Sequence, residues 1–191
     1  MKEILIGLTG QMGSGKGEII KILEMKGFRK ISLSDMVRAE VKRQGRDVNR
    51  SEMQDIGNSL RKVGGAGILG KLVKESIEKS EYTKWVIDGI RNPAEIEHLR
   101  QLDCFSLIGV KASVSVLLNR IKNRRRDTDR MTDTEIKKVL EREWGIGEPY
   151  DGQRVGACIQ LSDYMINNEG SLEQLTLNIT NVLEKIGVRY E

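Results

Sequence analysis

The feature that most restricts the fold lies near the start of the chain, in the stretch ILIGLTGQMGSGKGE at positions 4–18. Its first six residues form an apolar run typical of a buried strand, and the apolar residues after it recur as on a well-buried helix. Between them, Gly10, Gly15 and Lys16 have the G-x-x-x-x-G-K spacing of a phosphate-binding loop. Glycines let backbone N–H groups turn inward around phosphates, and the helix N-terminus and the lysine ammonium add positive charge. The sequence therefore predicts a strand, a phosphate-binding loop and a helix.

The rest of the chain repeats the alternation of strand and helix. Further strand-like runs follow, at 29–33, 84–87, 105–110 and 164–166. Helical patterns lie between and after them, at 34–79, 93–101, 114–122, 132–144 and 172–186. Within the first of these, Gly64-Gly65 is expected to end one helix before the next begins. Ser34 is the predicted N-cap of the first helix after the second strand. This alternation favours right-handed βαβ units and a mainly parallel sheet covered on both faces, with the active site at the carboxyl ends of the strands.

Composition excludes several classes of protein. No apolar run approaches the ~18 residues that a membrane span needs, and the N-terminus lacks the layout of a signal peptide, so we expect a cytoplasmic protein with no membrane partner. Cys104 and Cys158 have neither metal-ligand spacing nor the density of a disulfide framework, which favours buried free thiols. The net charge of +4 fits either nucleic-acid binding or an arginine-lined pocket for phosphorylated small molecules. The positions of the arginines must decide between the two.

The residue after Lys16 departs from the usual motif, because Gly17 stands where a Ser or Thr would put a hydroxyl on Mg²⁺. The form GSGKG resembles the loop of adenylate kinases and related nucleoside monophosphate kinases, which also place Gly there and hold magnesium largely through waters. The resemblance implies ATP and Mg²⁺ as cofactors. It places the following residues at the donor: Gly10, Gly13, Ser14, Gly15, Lys16, Gly17 and Glu18. Adenylate kinases have Thr in place of Glu18, but an uncharacterised, largely archaeal set of adenylate-kinase-like proteins shares GSGKGE.

Two further stretches resemble the acceptor side of these kinases. ISLSDMVRAEV at 31–41 is similar to their acceptor-binding segment ISTGDMLRA, in which the arginine, here Arg38, grips the acceptor phosphate. Asp35 in this stretch is either a helix-start residue or an acceptor-binding one. WVIDGIRNPAEIE at 85–97 is similar to their DGFPRT, with one residue fewer. Asp88 then corresponds to a Walker-B-like carboxylate that holds magnesium through water, and Arg91 to the arginine on the transferred or acceptor phosphate.

The lid and the adenine site are implied in the same way. LLNRIKNRRRDTDR at 117–130 resembles the helix that enters the lid, whose arginine pair corresponds to Arg120 and Arg124, and Arg142 corresponds to a later lid arginine. Together with Lys16 and Asp88 these arginines are the implied catalytic residues, because guanidiniums neutralise charge on the γ-phosphoryl oxygens. LSDYMINNEGSLEQL at 161–175 resembles the last strand and turn, which places Asn168 and Gly170 beside the donor adenine. Dephospho-coenzyme A kinases have a similar ending.

The family resemblance implies a single P-loop NTPase domain, a three-layer α/β/α fold with a five-stranded parallel sheet. Its core is expected at 1–33, 80–122 and 145–191, with a helical acceptor-binding subdomain at 34–79 and a short lid at 123–144. The implied activity is ATP- and Mg²⁺-dependent phosphoryl transfer to a small phosphorylated acceptor, above all a nucleoside or deoxynucleoside monophosphate.

Two alternatives stay open. A dephospho-coenzyme A kinase phosphorylates a hydroxyl and needs a general base, for which Asp35 is the one well-placed residue. A nucleotide-switched ATPase that acts as an RNA or ribosome assembly factor would use the basic surface, although aromatic residues at 4% argue against stacking on single strands. Nucleic acid is therefore a possible but unfavoured partner. The acceptor and the oligomeric state do not follow from the sequence.

Overall fold

Five parallel strands form the central sheet of the computed structural model, which describes residues 3–123 and 131–188. The strands are β1 (Ile4–Thr9), β2 (Arg29–Ser32), β3 (Lys84–Ile90), β4 (Phe105–Lys111) and β5 (Tyr164–Asn167). Their order across the sheet is β2-β3-β1-β4-β5. The predicted five-stranded parallel sheet is confirmed. Because β1 is central and pairs with β3, the loop that leaves β1 lies beside the carboxyl end of β3.

Helices cover both faces of this sheet. The first five are α1 (Lys16–Met25), α2 (Leu33–Arg43), α3 (Arg50–Gly64), α4 (Ile68–Glu78) and α5 (Pro93–Leu99). The others in the described ranges are α6 (Val114–Asn123), α7 (Asp133–Trp144), α8 (Val155–Gln160) and α9 (Leu172–Ile186). Among the described residues, no helix combines the length and apolar character needed to cross a membrane.

The side chains of the central strands alternate between two cores. Leu5, Ile87 and Leu107 point to a core shared with helices α2 to α5 and α8. Ile6 and Ile108 point to the opposite core, which they share with α1 and α9. Strands buried on both faces in this way are typical of parallel sheets with helical layers. The expected three-layer α/β/α architecture is therefore confirmed.

Several predicted boundaries were wrong. Helix α2 begins at Leu33, and its N-cap is Ser32, whose side-chain oxygen accepts from the Ser34 amide at 3.2 Å. Ser32 fits the capping position because it is the last, extended residue of β2. Within the predicted helical stretch at 34–79, the break at 65–67 follows the predicted helix end at Gly64-Gly65, whereas the break at 44–49 was not predicted. The short helix α8 was not predicted, since its six residues carry no side-chain cap.

The expectation of two buried thiols holds for one cysteine only. Cys158 is buried beneath the sheet, and burial raises the pKa of its thiol. Cys104 is exposed in the turn before β4, where its φ is 60°. The prediction was wrong for Cys104 because free cysteines are usually buried, while a turn position leaves the side chain in solvent.

The loop between β1 and α1 needs glycine at some positions and not at others. Gly15 has a φ of 105°, and a Cβ there would lie 2.1 Å from the Asn168 side-chain nitrogen. Gly17 lies in the first turn of α1, and a Cβ there would meet no described heavy atom within 4 Å. Protein packing therefore requires glycine at 15 but leaves room for a side chain at 17.

This difference predicts opposite outcomes for two alanine substitutions. Gly15→Ala should lower the free energy of unfolding by roughly 1–3 kcal/mol, because a side chain in the left-handed region is strained and meets Asn168. Gly17→Ala should leave it unchanged or raise it by up to about 1 kcal/mol, because alanine favours a helix. Urea unfolding followed by circular dichroism measures both, and equal losses in the two variants would contradict this account of the loop.

Candidate active site

A β-bulge shapes the carboxyl end of β3. Gly7 pairs with Ile87 and Thr9 with Ile90, so β3 has one residue more than β1 over the same length. The extra residue falls at Asp88 and Gly89, where Gly89 has a φ of 85°. The strand therefore continues to Ile90, beyond the predicted end at 87. Bulges re-aim side chains next to active sites, and Asp88 lines the cavity beside the phosphate loop.

That cavity, which we call the donor cavity, has a volume of about 780 Å³. It brings together most of the residues that the sequence predicted at the nucleotide. They are Gly13, Ser14, Gly15, Lys16, Gly17, Glu18, Asp88, Arg91, Arg120, Asn168 and Gly170. Gly10 does not belong to this lining. Its carbonyl instead accepts a hydrogen bond of 2.6 Å from Lys16 Nζ, which also donates to the Gln11 carbonyl at 3.1 Å.

Two polar atoms beside the phosphate loop fit a magnesium-bound nucleotide. In the part of the chain that the structure describes, Asp88 Oδ1 and Ser14 Oγ are buried and have no hydrogen-bond partner. A buried polar atom without a partner costs about 1–3 kcal/mol. Both atoms belong to residues of the donor cavity. A carboxylate oxygen next to glycine-loop amides suits a hydrated Mg²⁺ and the phosphates that it accompanies.

Glu18 forms an ion pair within α1. Its half-exposed carboxylate accepts from Lys21 Nζ at 2.9 Å, three residues further along α1. An acidic residue in the first turn of a helix is favourable because it faces the positive end of the helix dipole. Such an exposed ion pair contributes only about 0–1 kcal/mol. Glu18 is thus a wall residue of the donor cavity whose charge is already balanced in part.

Arg120 contacts the loop after β5. It donates from Nη1 to the Asn168 carbonyl at 2.9 Å and from Nη2 to the Gly170 carbonyl at 3.2 Å. Asn168 in turn donates from its side-chain amide to the Ser14 carbonyl at 2.8 Å. Hydrogen bonds therefore connect the loop predicted to flank the adenine both to α6 and to the phosphate loop.

A second cavity of about 250 Å³, which we call the acceptor cleft, lies among α2, α3 and the end of β3. Its lining contains Arg38, Arg61 and Arg91, and no carboxylate residue of the described ranges belongs to it. Asn49, Gln54 and Gln153 add amide groups, and its apolar wall consists of Leu33, Val37, Val48, Met53 and Leu69. Arg38 is hydrogen-bonded to Asp35, a largely exposed residue outside the lining. Asp35 thus contacts Arg38 and does not itself line the cleft.

Glu95 and Arg61 form a buried ion pair that sequence reasoning missed. Arg61 donates to Glu95 Oε1 from Nε at 3.0 Å and from Nη2 at 2.8 Å. Glu95 Oε2 accepts from the backbone amides of Arg91 at 2.8 Å and Asn92 at 3.0 Å. The spacing of Asn92 and Glu95 is that of a capping box, which was a readable signal for part of this contact. Nothing local in the sequence identifies Arg61.

Of the predicted lid arginines, Arg120 lines the donor cavity and Arg142 does not. Arg142 donates from Nε to Glu148 at 2.8 Å and from Nη1 to Gln54 at 2.9 Å. It therefore connects α7 to α3, and it lies in the described lining of neither cavity. Arg124 lies outside the described residues. The structure brings Lys16, Asp88, Arg91 and Arg120 to one cavity and keeps Arg142 apart from them.

The chain is similar to a family model and to full-length relatives. A family model described as an AAA domain matches residues 9–137, more than half of the chain. A UPF0200 protein from Methanothermobacter thermautotrophicus is 32% identical over 192 residues, which cover 100% of this chain and 95% of that protein. The resemblance to a largely archaeal group, stated from the sequence, is confirmed.

Solved structures agree with the fold. TT1252 from Thermus thermophilus superimposes with a TM-score of 0.65 at 18% identity and covers 97% of this chain and 98% of its own. Shikimate kinase from Bacteroides thetaiotaomicron gives a TM-score of 0.59 at 16% identity, with 97% and 99% covered. At such identities the likeness concerns the fold alone, and it is a P-loop kinase-like fold. On the family match and the full-length relative, the chain belongs to the AAA domain family and to the UPF0200 proteins.

Proposed function

We propose that this protein is a kinase that transfers the γ-phosphoryl group of ATP, with Mg²⁺, to a small phosphorylated acceptor, foremost a nucleoside or deoxynucleoside monophosphate. The observation that carries the proposal is the junction of the two cavities. Ser34, Gly89 and Arg91 line both the donor cavity and the acceptor cleft. Two ligands bound in adjoining cavities would have their reacting groups side by side, which is the main requirement of phosphoryl transfer.

The charges of the acceptor cleft favour an anionic acceptor. Three arginines line it, and the guanidiniums of Arg38 and Arg91 are partly exposed and can donate to a phosphate or carboxylate group of a ligand. A hydroxyl acceptor such as dephospho-coenzyme A would need a general base. Asp35, the base considered from the sequence, instead accepts a hydrogen bond from Arg38. An acceptor that is already an anion requires no such base.

Within this proposal each residue has a physical task. Lys16 and Arg91 neutralise negative charge where the cavities meet, and Arg38 holds the acceptor phosphate. Asp88 would hold magnesium through water, and such a metal would supply positive charge to the phosphates of the donor. Closure of the helical segment 34–79 over the acceptor cleft would exclude water, because an open site would lose ATP to hydrolysis.

The first test is ADP release from ATP across a panel of nucleoside monophosphates, deoxynucleoside monophosphates, dephospho-coenzyme A and shikimate. We expect a monophosphate to accelerate turnover over hydrolysis alone. Lys16→Ala should lower this turnover about 10²–10³-fold, because it removes a donor to the transferring phosphoryl group. The matched control is Lys185→Ala, an exposed lysine on α9, which should retain the wild-type rate.

Other outcomes would redirect the proposal. If no acceptor raises ADP release above hydrolysis, the kinase assignment fails. Acceptor-independent hydrolysis together with salt-sensitive RNA binding would indicate the nucleotide-switched assembly factor considered from the sequence. Acceleration by dephospho-coenzyme A or shikimate alone would keep the kinase and replace the acceptor class.

A second test concerns the metal. Asp88→Asn keeps the size of the side chain but removes its charge, so the Mg²⁺ concentration at half-maximal rate should rise about 10–100-fold. A magnesium titration of ADP release measures this shift. Asp103→Asn changes an exposed aspartate before β4 and should leave the titration unaltered. An unchanged magnesium requirement in Asp88→Asn would remove Asp88 from the metal site.

A further inference from the structure

The second half of α7 lies directly against the phosphate loop. The Gln11 side-chain amide donates to the Leu140 carbonyl at 2.9 Å, and the Met12 backbone amide donates to Glu143 Oε2 at 2.7 Å. The Met12 side chain is buried in a small core with residues of α6 and α7 that comprises Leu117, Ile121, Ile136 and Leu140. Positions 11 and 12 of the phosphate loop are thus held by α7 through hydrogen bonds and apolar packing.

Glu143 has a second partner on the other side. Its Oε1 lies 3.4 Å from Arg91 Nη1, and that nitrogen also donates to Gln153 Oε1 at 3.0 Å. The Glu143 side chain is only 2% exposed, whereas that of Arg91 is 29% exposed. A buried carboxylate is costly unless it is paired and hydrogen-bonded. Glu143 meets this condition by binding the loop with one oxygen and Arg91 with the other.

We propose that Glu143 is a positioning residue for the phosphoryl transfer, and this inference rests on the proposed function. One carboxylate oxygen fixes the phosphate loop at Met12, and the other fixes the guanidinium of Arg91 where the two cavities meet. Glu143 thereby sets the position of the arginine relative to the loop that holds the donor. A misplacement of about 1 Å in such a group can cost about 10²-fold in rate.

The chemistry of the two partners explains why a carboxylate is needed. The Met12 amide and the Arg91 guanidinium are both hydrogen-bond donors, so the residue between them must offer two acceptors. A glutamine offers one acceptor and one donor, and its NH₂ group would face a donor whichever way it turned. Glu143→Gln should therefore lose one of the two contacts while it retains the shape of the side chain.

The test is a double-mutant cycle with Glu143→Gln, Arg91→Ala and the double variant. We measure kcat and KM for ADP release with the best acceptor, the acceptor-independent hydrolysis of ATP, ADP affinity by calorimetry and the urea midpoint. Glu143→Gln should lower kcat about 10–100-fold with less than a threefold change in the KM for ATP. In the Arg91→Ala background the same substitution should change kcat less than twofold, because the group that it positions is absent.

A purely structural role would give a different pattern. Glu143→Gln would then lower kcat by the same factor in both backgrounds, and this additivity would overturn the proposal, as would an unchanged kcat in the single variant. Glu143→Asp is the second variant because it keeps the buried charge but is one methylene too short for both contacts. It should fold and lose kcat in the same direction. Glu141→Gln, an exposed neighbour on α7, is the matched control and should retain the wild-type kcat.

Failure of the proposed function can be told apart from failure of this inference. If wild-type protein hydrolyses ATP but uses no acceptor, the kinase assignment fails. The double-mutant cycle is then measured with the rate constant of ATP hydrolysis. If the wild-type protein transfers phosphate and the cycle is additive, only the positioning role of Glu143 fails. If the wild type neither binds ADP nor turns over ATP, both proposals are wrong.

Discussion

The carboxylate of Glu95 accepts four hydrogen bonds inside the protein, two from the Arg61 side chain and one each from the amides of Arg91 and Asn92. This carboxylate joins α3, which forms one wall of the acceptor cleft, to the chain that leaves β3. Loss of one partner of a buried ion pair costs about 3–5 kcal/mol, because the other charge stays uncompensated. The cleft and the residue at its junction with the donor cavity are therefore positioned by the same buried group.

The parts of the fold that the sequence predicted are those with local signals. The glycine spacing before α1, the alternation of strands with helices, and the paired glycines that end α3 at Gly64 act over a few residues, and the structure contains them. Arg61 and Glu143 carry no local signal, because the first contacts a residue 34 positions away and the second a residue 131 positions away. Such pairs exist only after the sheet has brought distant segments together.

Asp88 and Gly89 form a bulge at the point where the sequence predicted the end of a strand. The apolar run that predicted β3 ends at Ile87, so the strand was expected to end before Asp88 and Gly89. The structure uses the same dipeptide as a bulge inside β3, because the parallel ladder with β1 resumes at Ile90. The positive φ that Gly89 supplies turns the chain without ending the strand. Tertiary pairing, which periodicity cannot reveal, decided between a turn and a bulge.

The arginines around the acceptor cleft differ in how firmly they are held. Arg61 and Glu95 are 3% and 0% exposed, and Arg38 and Asp35 are 44% and 57% exposed. An exposed pair is worth about 0–1 kcal/mol, so Arg38 can exchange Asp35 for an anionic ligand at little cost. Arg61 cannot leave Glu95 at so little cost, because the buried carboxylate would remain uncompensated. Under the proposed function these paired arginines bind a small phosphorylated ligand, whereas the continuous backbone of a nucleic acid requires an open basic surface.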